Sequence, residues 1–378
     1  AVLNLSNVYQ NTGRIDQAIE LLEKTIQKEK LTNAQKGLLY NNLGSNYFLN
    51  TRATKMKSYA FENAEKAFLK AVLLLEREPS QHEALTNSYR NLCKLNLERK
   101  NKQMALHYFE KAKHTFEKIP NPNPRKKAQF YFDEANMLFK QREITASSLA
   151  IERVFKTLIP AYSSAKTVLP NQSALYAETI LLDVLDLQAE LFLAQSQPKK
   201  ALESYALAFH IEALFQSLLV YENSKIIIQI RNRNRTERCI AIYQSLFQKE
   251  NKKNYLESAF LLAEKTKSIV LKANLNLKKF QSHEEKLLLE QLQNHNTIIV
   301  KEQQKGATAA ISKINDALKK QNELMLLLKE TQSKKGNTTK TEIDLKELYT
   351  KLEKDNSILI EYFSGNDKTY SFTLTDKQ

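Results

Sequence analysis

The groups in this chain with a chemistry of their own are few: two cysteines, Cys93 and Cys239, six histidines and a cluster of arginines. His107 and His114 stand seven apart on one helical pattern and would share a face, but no third ligand accompanies them, so no metal site is read here. Cys93 falls at a small-residue packing position and no base is paired with it. It reads as a buried structural thiol, and Cys239 likewise. No two glycines fall close together, which excludes a phosphate-cradling loop. No catalytic residue, metal or cofactor is therefore expected.

Arg231, Arg233, Arg235 and Arg238 form the densest cationic cluster. On a helix Arg231, Arg235 and Arg238 fall at i, i+4 and i+7, a face able to grip an acidic peptide or phosphate. A solvated helix face would look the same. The net charge of +15 comes from 57 Lys and Arg against 42 Asp and Glu among 378 residues. Lys is interleaved with Glu along the whole chain, which is the mark of a compositional habit rather than of a nucleic-acid stripe.

What must position such groups is helix. Only 6 Gly and 7 Pro occur, and good helix formers fill the sequence. A motif recurs along it. One copy has Tyr40-x2-Leu43-Gly44-x2-Tyr47, then Ala64, Phe68 and Ala71. Another has Tyr89-x2-Leu92-Cys93, then Ala105, Phe109 and Ala112. Shorter matches are Leu5-Ser6-x2-Tyr9 with Ala18, Leu22 and Thr25; Ala135-Asn136-x2-Phe139 with Ser148 and Phe155; Ala189-x2-Phe192 with Ala201, Tyr205 and Ala208; and Tyr243-x2-Leu246 with Ala259, Ala263 and Thr266.

Thirteen residues separate Leu5 from Ala18, Leu92 from Ala105, Ala135 from Ser148, Gln188 from Ala201 and Leu246 from Ala259. In the second copy the interval is 21, an insertion of eight around residues 52–59. Two antiparallel helices approach closely only where one supplies Gly or Ala and a bulky neighbour fills the space beside it. The pattern resembles the TPR repeat over residues 1–270. The fold class expected is all-α, a TPR-like helical-hairpin solenoid of about six repeats.

In such a solenoid the first helices line the concave wall. The positions there not used in packing are Asn7, Asn11, Asn41, Ser45, Arg90 and Lys94, candidates for holding an extended peptide by its backbone and carboxylates.

Residues 271–340 read as a helical-hairpin linker, with seams at Leu288 and Leu292 and at Leu318, Met325 and Leu328. In 341–378 a short helix carrying Leu345, Leu348, Tyr349 and Leu352 precedes a hairpin. Its strands are Ile358-Leu359-Ile360-Glu361-Tyr362-Phe363 and Tyr370-Ser371-Phe372-Thr373-Leu374-Thr375, with Ser364 to Asp367 as the turn. An isolated hairpin is marginal in water, so a truncated α/β domain is expected to begin here. The opening Ala1-Val2-Leu3 similarly reads as helix interior, and the chain as a fragment.

That helix and hairpin resemble the entry to a CHAT domain, a caspase- and separase-related module that follows TPR arrays. Ala259-Phe260-x2-Ala263-Glu264-Lys265-x-Lys267 resembles the last helix before the linker in TPR–CHAT proteins. In that family the peptide-cleaving His and Cys lie beyond this hairpin, so the resemblance carries no catalytic residue onto this chain.

The function expected is therefore a non-enzymatic, cytoplasmic interaction scaffold, the recognition arm of a TPR–CHAT protein. It would bind a protein or peptide partner and has no membrane segment. One alternative is a TPR regulator with a basic face for nucleic acid. Another is a bacterial sensor with a different output domain.

Overall fold

The computed structural model describes residues 1–28, 30–51, 57–78, 80–163, 168–218, 222–267, 283–305, 310–334 and 343–375. They form an all-α chain of helices packed in successive hairpins, with one small antiparallel sheet near the C-terminus. Two compact units are present, Ala1–Leu175 with Thr179–Gln195, and Tyr176–Glu178 with Ser196–Gln378.

The first unit holds α1 (Val2–Asn11), α2 (Ile15–Ile26), α3 (Asn33–Asn50), α4 (Lys57–Leu75), α5 (His82–Glu98), α6 (Lys102–Phe116), α7 (Pro124–Gln141), α8 (Ile144–Leu158) and α9 (Thr179–Ala194). Four antiparallel pairs, α1/α2 to α7/α8, follow one another. The first helices also touch in a row: α1 meets α3, α3 meets α5, α5 meets α7 and α7 meets α9.

Local chemistry sets the helix starts. Thr32 opens α3 with a reciprocal capping box, its hydroxyl accepting from Gln35 N at 3.2 Å while Gln35 Oε1 accepts from Thr32 N at 2.9 Å. Asn101 caps α6, and Asn123 caps α7 ahead of Pro124.

The pairs close as the small residues require. A Cβ on Gly44 would sit 2.6 Å from the Phe68 ring, and one on Gly37 would sit 2.6 Å from Leu75 Cγ. Between pairs, Phe68, Tyr89, Leu92, Phe109, Phe130 and Met137 share one core. There the Phe116 and Phe130 rings stack at 4.4 Å. Burying each such side chain contributes about 1.5–3 kcal/mol.

The turn inside a pair repeats too. Gly13, Lys100 and Arg142 each have φ between 60° and 76°, and each stands five residues before a fully buried small residue: Ala18, Ala105 and Ser147. The fourth copy is therefore one residue out of the register expected from the motif, which pairs Ala135 with Ser148. Ser147, not Ser148, enters the interface, where its hydroxyl donates to the Ala135 carbonyl at 2.7 Å. Ala135 fills the small slot that Gly44 and Cys93 fill elsewhere, and Glu134 stands in the Leu slot. The thirteen-residue interval holds, from Glu134 to Ser147. A charged residue in the Leu slot hid it. Of the second-copy insertion, residues 52–56 lie outside the described residues.

The second unit holds α10 (Pro198–Leu218), α11 (Glu222–Glu250), α12 (Lys253–Thr266), α13 (His283–Gln304), α14 (Ile311–Lys334), α15 (Leu345–Lys354), β1 (Leu359–Ser364) and β2 (Thr369–Leu374). α11 and α12 pair through a turn at Asn251, φ 50°. α13 and α14 pair through Leu292, Leu324 and Leu328, with Leu288 against them. The Leu318 and Met325 side chains lie outside the described ones.

β1 and β2 are antiparallel, with Leu359 opposite Leu374, Glu361 opposite Phe372 and Phe363 opposite Tyr370. This inner face packs on Ile240 and Ala263 at one end, and on Phe260 and Leu352 at the other. Among the described residues the hairpin finds apolar cover on α11, α12 and α15. Ile360 and Tyr362, on the other face, are exposed.

Candidate functional site

The first-helix row of the first unit carries the residues singled out for ligand contact. On α3, Asn41 and Ser45 are one turn apart, and Ser45 Oγ donates to the Asn41 carbonyl at 3.0 Å. From α5, Asn91 Nδ2 donates to Asn41 Oδ1 at 3.0 Å and approaches Ser45 Oγ at 3.4 Å. Ser88 Oγ lies 3.1 Å from the same Asn41 oxygen. The second amide atom of Asn41 and of Asn91 has no partner among the described residues, so one donor and one acceptor stay available. That pair matches the N–H and C=O of a peptide backbone.

On the side of α5 that meets α7 the chemistry becomes ionic. Arg90 Nε donates to Asp133 Oδ2 of α7 at 2.5 Å, and Lys94 Nζ lies 3.0 Å from the other oxygen, Oδ1. Burial pushes the Asp133 carboxyl up, but Arg90 and Lys94 together outweigh it and hold it below the usual carboxylate range. The Asp133 and Arg90 side chains are 6% and 14% exposed, whereas Lys94 is 36% exposed. Two cations against one carboxylate leave a local surplus of one positive charge, and Lys94 is where it reaches solvent.

Asn7 on α1 is exposed. Asn11 closes α1, and its side chain lies outside the described ones. The row therefore brings together Asn41, Ser45, Arg90 and Lys94, tied across three helices. Sequence reasoning passed over their partners Ser88, Asn91 and Asp133. Asn91 and Asp133 carried a signal, as polar residues close to packing slots on first helices.

Beside this polar seam Tyr40, Tyr89 and Tyr131 are each capped by a cation from the second helix of their own pair. Lys70 Nζ lies 5.3 Å from the centre of the Tyr40 ring, Lys111 Nζ 5.5 Å from that of Tyr89, and Arg153 4.6 Å from that of Tyr131. Tyr89 also donates to Glu76, and burial, reinforced by that bond, pushes its phenol up. Cys93 is 3% exposed, and burial followed by the Asp133 charge pushes its thiol up to about 12.

In the second unit the arginine face divides. Arg231 and Arg238 are exposed. Arg235 is buried between helices, 2.9 Å from Glu212 on α10 and stacked 5.2 Å from the centre of the Phe209 ring. Its charge is matched within the chain, so the three arginines do not form one open anion surface. Arg233 instead donates to the Ser364 carbonyl at 2.5 Å. Among the described residues no three His, Cys, Asp or Glu gather as a metal site would require, and no helix is long and apolar enough to cross a membrane.

The class of protein that this architecture defines is an all-α helical-hairpin repeat chain. No family model matches it and no curated protein matches it. Among solved structures, the crystal structure of BtubC (BKLC) from P. vanneervenii is similar, at 13% identity over 57% of this chain and 80% of that one, with a TM-score of 0.43.

Proposed function

We propose that the chain is a non-enzymatic interaction scaffold whose first unit binds an extended acidic peptide along the row α3–α5–α7. The observation that carries this reading is the seam itself. Amides able to meet a peptide backbone lie one turn from a cation, Lys94, that half-emerges beside a buried and already neutralised carboxylate. The TPR motif of the sequence supports the same reading. We take the second unit's order of helix α15, then the hairpin β1–β2, as the entry to a CHAT-type output domain, which makes the repeats a recognition arm.

The test is affinity selection from a random peptide library with the 378-residue protein, followed by fluorescence anisotropy. Enrichment of acidic peptides that lose binding on Asn91→Ala and on Lys94→Ala would support the scaffold. Selection of peptides indifferent to both changes would remove the site from this row. Binding to single-stranded DNA that falls steeply with salt would favour the nucleic-acid alternative, because phosphate contacts release counterions. The output half is tested separately by sequencing the gene downstream of the Gln378 codon. An α/β stretch with a His and later a Cys supports it, and a stop codon sinks it.

A further inference from the structure

On α11, residues 233, 234 and 237 share one side of the helix, and all three bind the turn between β1 and β2. Glu237, 8% exposed, accepts backbone N–H groups from three successive residues: Asn366 at 2.6 Å, Asp367 at 3.1 Å and Lys368 at 2.7 Å. Three convergent amides around one carboxylate oxygen pair form an anion nest, filled here by the protein's own side chain. Arg233 holds the Ser364 carbonyl, and Asn234 accepts from the Asn366 amide. A Cβ at Gly365 would overlap the Glu237 carboxyl group, so the close approach requires glycine.

Arg235, between these residues in sequence, stands roughly opposite them at 100° per residue. It is fixed to α10 by Glu212 and Phe209. A single turn and a half of α11 therefore grips α10 on one side and the hairpin on the other.

We propose that residues 233–237 of α11 are a coupling latch, through which a shift of α10 against α11 is transmitted to the β-hairpin. Arg235 senses the position of α10, and Arg233, Asn234 and Glu237 carry any resulting rotation or slide of α11 into the turn at 364–368. The coupling is intramolecular and needs no ligand on the first unit, so failure to find a peptide there leaves it standing.

Hydrogen–deuterium exchange on the full chain tests it, read at the amides of residues 359–374. Glu237→Gln, which opens the latch directly, speeds exchange there about tenfold or more. The deciding variant is the neutral pair Glu212→Gln with Arg235→Gln, which leaves the hairpin and its anchors Arg233, Asn234 and Glu237 unaltered. Faster exchange in the hairpin by about threefold or more, with α1–α9 unchanged, supports transmission. Faster exchange in α10 and α11 with the hairpin at its original rate overturns it. Should the double variant lose its helical circular dichroism, Phe209→Leu decides in its place, because it only loosens the ring beneath Arg235.

Discussion

Asn91 and Arg90, adjacent on α5, reach in opposite directions: Asn91 donates to Asn41 on α3, and Arg90 donates to Asp133 on α7. One helix thus joins its two neighbours through consecutive residues, and the bonds differ in kind, neutral on one side and ionic on the other. The ionic side depends on pH.

Asp133 titrates below its unfolded value, so its contribution to stability is present above the unfolded pKa of about 3.9. It is lost as pH falls through the lower folded value. Asp133→Asn leaves Arg90 and Lys94 facing each other and should cost about 3 kcal/mol at pH 7. Urea unfolding at pH 7 and at pH 3 checks this. The difference between the two proteins should shrink in acid, and an equal difference at both pH values would show that the ion pair adds nothing.

The corrected register of the fourth pair makes its own prediction. Ser147→Leu forces a large side chain between α7 and α8 and should destabilise by about 2 kcal/mol. Ser148→Leu, at a half-exposed position, should stay within about 0.5 kcal/mol of the parent. Thermal melts of the two variants would reverse in order if the thirteen-residue interval started from Ala135 after all.

The buried thiol of Cys93, raised to about 12, should be inert to Ellman's reagent in the native protein and titrate only in denaturant. Measured against a Cys239→Ser background, reaction of the folded chain within minutes would mean that α5 opens readily.

For the first-helix row, Lys94→Ala should weaken an acidic peptide about tenfold, since it removes one charge-assisted contact. Asp133 stays paired with Arg90, so the fold should survive. Unchanged affinity at low salt would exclude Lys94 from the contact.

The packing of the repeats was legible because it depends on residue size at fixed intervals. Gly44 against Phe68, and the buried Ala105, Phe109 and Ala112, follow from the motif alone. The fourth pair slipped because Glu134 occupies a slot where Leu is usual, which leaves only Tyr131 and Ala135 to mark the register of α7. The arginine cluster misled for a different reason. Helical spacing gives the angle between Arg231, Arg235 and Arg238 but not which side of α11 meets α10. Glu237 gave no signal at all, since its three partners lie some 130 residues away in a turn and use only backbone amides.

The seam between first helices also bears on how such a chain can change length. Excising α5 and α6 would bring α3 against α7, setting Asn41 and Ser45 beside an Asp133 stripped of both cations. The joint would then hold a buried negative charge with only neutral groups to meet it. The pairs share a shape but not their polar edges, so they are not interchangeable parts. A duplicated or deleted pair would need compensating substitutions on the helices at either side.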